Sequence, residues 1–199
     1  MMQLERTALG AAVVLSVVSI GDAVARATSD AVPPWDDEAG TTWVIVAINL
    51  VMVATFALLA AVLVCNAERI DEGSGAVRWI RRLLAVDLAI LATGYLLVNV
   101  VDSDILGATA GVTFLAMFIL GAVLGGLLLR RPDVRVPAVL MVGVVPVIAL
   151  SLVLEAMAPG WGHPGYAETA LYIGIALLGL SAAAAGSSRP DRAMVGTRR

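Results

Sequence analysis

Apolar residues in this chain fall into six long runs, Thr7–Ala25, Thr42–Cys65, Trp79–Val101, Ile105–Leu129, Val136–Ala158 and Ala167–Ala185, separated by short polar stretches. Each run is about 19 to 25 residues long, which at about 1.5 Å per residue spans a hydrocarbon core of roughly 30 Å. A backbone in lipid must satisfy its amides within the segment, and the runs lack the alternation of a barrel strand, so they predict helices. The expected fold is all-α, a single integral membrane domain over 1–199 with six helices in one bundle. No connection is long enough to build a soluble core of its own.

The polar stretches carry charge of alternating sign. Arg6 precedes the first run, Arg69, Arg78, Arg81 and Arg82 lie between the second and third or in the first turn of the third, Arg130, Arg131 and Arg135 between the fourth and fifth, and Arg189, Arg192, Arg198 and Arg199 follow the sixth. The other stretches and the run ends beside them hold Asp30, Asp36, Asp37, Glu38, Asp102, Asp104 and Glu168, with Arg26 as their single cation. Short basic loops stay on the cytoplasmic side, so the pattern predicts a multi-pass protein of the cell membrane with both termini cytoplasmic. The tail 186–199 is expected to be a flexible, basic cytoplasmic segment near anionic lipid. Ala8–Ile20 followed by Ala23-Val24-Ala25 imitates a signal peptide, but Glu5 offsets Arg6 and the run is long, so a retained helix is expected.

Composition agrees with the class and removes chemistry from it. Apolar residues make up 60% of the chain and its mean hydropathy is +0.93, above the usual soluble range. There is no lysine, which excludes a retinal Schiff base and a catalytic lysine. Cys65 is the one cysteine and His163 the one histidine, so an intrachain disulfide, a paired-histidine haem and a multi-histidine metal site are excluded within one chain. No cofactor, metal ion or nucleic acid is expected; the partners expected are the lipid bilayer, a small solute, and either a second copy or a partner membrane subunit. Gly73-Ser74-Gly75 reads as a flexible turn and not a nucleophile, since no histidine on that side activates the serine.

Helical spacing arranges the remaining residues on faces. On the fourth run Gly107, Gly111, Phe114, Phe118, Gly121 and Gly125 share one side, two GxxxG steps around two rings, and on the sixth Ala170, Gly174, Leu177, Ser181 and Ala184 form a similar stripe. Small residues let helices approach closely in lipid, so Gly107, Gly111, Gly121, Gly125 and Gly174 are expected packing positions. Pro146 interrupts the fifth run and is a candidate hinge. Asp22 and Arg26 stand four residues apart and are expected to pair, whereas Asp87 is expected to reach inner arginines such as Arg81, Arg82, Arg130 or Arg131.

A charged side chain within a span costs about 2.5 to 3.5 kcal/mol on insertion scales, so Asp22, Asp87 and Glu155 call for a use or a partner. Asp22, Asn49, Asn99, Glu155 and Tyr172 all fall in the outer halves of their runs, and His163 lies in the last outer loop between turn-forming prolines and glycines. These six residues are the candidate solute-binding set, lining a polar cup that opens outward. With about 200 residues, six helices, outer loops facing a solute and Ala8-x-x-x-Ala12 on the first helix, the chain resembles the substrate-binding subunits of energy-coupling-factor vitamin transporters. That resemblance implies a solute-binding membrane subunit and names no ligand. Solute binding or transport is the expected function; the alternative is a non-catalytic accessory or assembly subunit of a membrane complex. An intramembrane enzyme is disfavoured, and no catalytic residue is assigned, because the histidine lies in a loop and Asp22 and Asp87 lie towards opposite faces.

Overall fold

A computed structural model describes residues 2–29, 34, 40–98, 104–158 and 160–187. Among these residues it is all-helical: α1 (Met2–Thr28), α2 (Thr42–Cys65), a short α3 (Ala67–Asp71), α4 (Gly75–Leu97), α5 (Asp104–Leu128), a 3-10 turn at Pro132–Val134, α6 (Arg135–Met157) and α7 (Gly165–Ser187). Five stretches are long and apolar enough to cross a membrane: Gln3–Thr28, Thr42–Cys65, Thr109–Leu128, Pro132–Met157 and Gly165–Ala184. Helix α4 is equally long, but Arg81, Arg82 and Asp87 interrupt its apolar run.

The long helices pack in the ring order α1, α2, α4, α5, α6, α7, and α7 closes the ring against α1 while leaning inward onto α2 and α5. Burial follows from that place. In α7, 61% of the span is buried, against 22–33% in the other four. The outward surfaces are apolar, with Val17, Val112 and Leu152 exposed, which suits contact with acyl chains and not water.

Close packing explains several of the glycines. A Cβ on Gly125 would stand 2.8 Å from the Ala138 carbonyl and from Met141 Cβ on α6, and one on Gly121 would run into Leu171 of α7. At Gly174 an added Cβ would meet Met141 at 2.8 Å. Gly111 differs from the expectation, because a Cβ there would meet nothing within 4 Å. The surroundings of Gly107 lie outside the described side chains. Helix α6 runs unbroken through Pro146.

The arginine-rich end is pinned by buried polar contacts. Arg81, 4% exposed, donates through Nε to Asp71 Oδ1 at 2.7 Å, through Nη2 to Oδ2 at 3.0 Å, and through Nη1 to the Leu63 carbonyl at 3.2 Å. Arg131 donates to the Ile70 and Arg69 carbonyls at 2.6 and 3.3 Å. The segment around Gly73-Ser74-Gly75 is therefore anchored through α3, and Ser74 caps α4 by accepting from the Val77 amide at 3.4 Å. Because Arg81 is committed to Asp71, the expected pairing of Asp87 does not form; Asp87 is buried and its Oδ2 has no partner. Glu5 sits in the first turn of α1, fully buried, where Asn66 Nδ2 donates to Oε1 at 3.1 Å.

Candidate functional site

At the opposite end, where α1 finishes and α7 begins, a cavity of about 410 Å³ lies between α1, α2, α4, α5 and the connection into α7. Its polar lining is Ser19, Asp22, Arg26, Asn49, Tyr95, His163 and Glu168, and its apolar lining includes Ile45, Ile48, Met52 and Phe114. A volume near the lower end of the roughly 300–1,000 Å³ range of ligand pockets suits a small molecule.

One turn of α1 supplies the first wall. The i,i+4 spacing lets Arg26 Nε donate to both oxygens of Asp22, at 3.0 and 3.1 Å, as expected from the sequence. His163 Nε2 lies 2.9 Å from Asp22 Oδ2, and His163 Nδ1 accepts from the Gly165 amide at 3.1 Å. A neutral imidazole with its proton on Nε2 satisfies both bonds, so the backbone of α7 fixes the tautomer that donates to Asp22. Gly165 is required at this junction: a Cβ there would stand 2.7 Å from the Ser19 carbonyl and 2.9 Å from His163 Nδ1.

The second wall is Glu168, one turn into α7. The sequence assigned it to the outer loop with the other solvated acids, but it is 5% exposed and faces α1. Its Oε2 accepts from the Ser19 hydroxyl at 2.9 Å and from the Tyr172 hydroxyl at 3.4 Å. Tyr172 is fully buried beneath it and meets Phe56 edge-on at 5.7 Å, while Tyr95 tilts against the same Phe56 at 5.8 Å. Phe56, Tyr95 and Tyr172 thus form an aromatic floor. Phe114 crosses Phe118 at 5.1 Å on the α5 side.

Of the candidate solute-binding residues, Asp22, Asn49 and His163 share the cavity, and Tyr172 joins it one layer down through Glu168. Glu155 does not line it; its Oε2 accepts from the Gly160 and Gly162 amides at 3.0 and 3.1 Å and ties down the connection between α6 and α7. Asn99 lies outside the described residues. Glu168, Ser19 and Tyr95 complete the site. The one available signal for Glu168 was its i,i+4 spacing to Tyr172, the same spacing that marked Asp22 and Arg26. Among the described residues no group of three or more His, Cys, Asp or Glu side chains is placed to hold a metal ion.

Known protein families, curated proteins and solved structures contain no match to this chain. The likeness to vitamin-transporter subunits therefore rests on the chain length, the expected helix count, the outer loops and the alanine pair alone.

Proposed function

We propose that this chain is a six-span protein of the cell membrane, with both termini cytoplasmic, that binds a small solute in a cup open to the outside, as a receptor or as a carrier. The observation that carries this reading is convergence: Asp22 and Ser19 from α1, Asn49 from α2, Tyr95 from α4, His163 from the last connection and Glu168 from α7 line one cavity. Residues so distant in sequence meet around a solute-sized volume, and packing alone has no use for that many polar groups there.

Helix α4 counts as the sixth span because Arg81 is neutralised by Asp71 at its start and the helix packs between α2 and α5. Trp43 at the cup end and Trp79 at the arginine-rich end are exposed, which suits headgroup depth on the two sides. Arg69, Arg78, Arg81, Arg82, Arg130, Arg131 and Arg135 lie at the end away from the cup, so the positive-inside rule turns the cup outward. Pro146 removes one hydrogen bond from the otherwise unbroken α6 and is the candidate hinge for a carrier cycle. Binding without turnover is the reading, since the single histidine is engaged at both ring nitrogens.

Thermal unfolding of the purified protein against a library of small solutes tests the proposal. A hit should stabilise the wild type and Glu155→Gln alike, but lose most of its effect on Asp22→Asn. If no solute stabilises the protein and Asp22→Asn behaves as wild type, the alternative of an accessory subunit takes its place. That alternative draws support from α5, where Gly111, Val112 and Leu115 leave an exposed face with room for a partner helix.

A further inference from the structure

We infer that the solute is a small organic cation, an ammonium group carried on one apolar ring, with Glu168 as its counter-ion; this rests on the solute-binding reading above. The lining holds two carboxylates and one guanidinium. Asp22 is already balanced, with both oxygens bonded to Arg26 and one also to His163. His163 is neutral when it accepts from Gly165 and donates to Asp22. That leaves Glu168 as the carboxyl group of the lining with no cationic partner among the described residues. Both hydroxyl donors to Glu168, from Ser19 and Tyr172, fall on Oε2, and among the described residues Oε1 receives no hydrogen bond although the side chain borders the cavity.

A buried carboxyl group that borders a cavity and has no cationic partner among the described residues is suited to receive a cation. The groups around Glu168 fit an ammonium. Asp22 lies in the same lining with Arg26 paired to it, Tyr172 donates to Glu168, and the aromatic residues Tyr95 and Phe114 border the cavity. Ile45, Ile48 and Met52 supply the apolar surface for the rest of the molecule.

The test uses three probes of nearly one shape, benzylammonium, benzyl alcohol and benzoate, added to the purified full-length protein in thermal unfolding and titration calorimetry. Benzylammonium should stabilise the wild type and the other two should not. Glu168→Gln should weaken benzylammonium by about thirty-fold or more, as loss of one partner of a buried charge pair does. Glu155→Gln, outside the cavity, should bind it as the wild type does. If benzoate or benzyl alcohol binds in its place, or if Glu168→Gln keeps full affinity, the cation inference is overturned while the cup reading stands. If all three are silent the inference falls, and the wider solute library then decides the cup reading separately. Should Glu168→Gln not fold, the charge-keeping Glu168→Asp and the wild-type ranking of the three probes decide the matter.

Discussion

The Arg81–Asp71 pair offers the sharpest test of how the arginine-rich end holds together. Arg81 and Asp71 are 4% and 6% exposed and share two bonds at 2.7 and 3.0 Å, and a third bond joins Arg81 to the Leu63 carbonyl. Removing one partner of a buried pair strands the other, so Asp71→Leu should cost about 3 to 5 kcal/mol. Arg81→Met should cost less, about 2 to 3 kcal/mol, because Asp71 keeps Arg78 at 3.6 Å as a second cation. The double variant strands neither charge; it should lose only about 1 to 2 kcal/mol, for the donor withdrawn from Leu63. Reversible unfolding in mixed micelles, followed by tryptophan fluorescence with exposed Trp79 two residues from Arg81, measures all three. A double variant at least as costly as the sum of the singles, or an Asp71→Leu loss below about 1 kcal/mol, would refute the reasoning.

Three further outcomes follow from the same structure. Gly125→Val should lower stability by about 1 to 3 kcal/mol through its collision with Ala138 and Met141, whereas Gly111→Leu should stay within about 0.5 kcal/mol; equal melting losses at the two sites would contradict the packing described. Glu155→Ala should release the Gly160 and Gly162 amides, speeding proteolysis of the connection between α6 and α7 at a stability cost of about 1 kcal/mol; an unchanged cleavage rate would count against the tether. Cys65, exposed at the end of α2 away from the cup, should resist an impermeant maleimide in intact cells and react in inverted vesicles; labelling from outside would reverse the proposed orientation.

Local spacing made part of this molecule legible. Asp22 and Arg26 are one helical turn apart, so their pairing needed no tertiary knowledge, and the apolar runs located every long helix to within a few residues. Glu168 was hidden because Pro164 and Gly165 read as loop, whereas Gly165 in fact opens α7 and brings Glu168 under Ser19. The face of α7 was equally hard to choose. The stripe through Gly174 meets α6, but Gly179 on another side meets Val62 and Glu5, and a helix enclosed from several directions has no polar side to orient it. Asp87 lost its expected partner to a contact running through α3, a fold-back that glycine and serine content disguised as a free turn.

The enclosure of α7 bears on how the protein is made. Its mean hydropathy, 1.5, is the lowest of the five apolar stretches, which range up to 2.6, yet it is the most deeply buried. In the finished bundle it lies against Ser19, Val62 and Met141. A slot lined by protein tolerates Glu168 and Tyr172 where lipid would not. The insertion of α7 thus depends on its neighbours: α1 and α6 meet each other through it, and without it the cavity has no second wall.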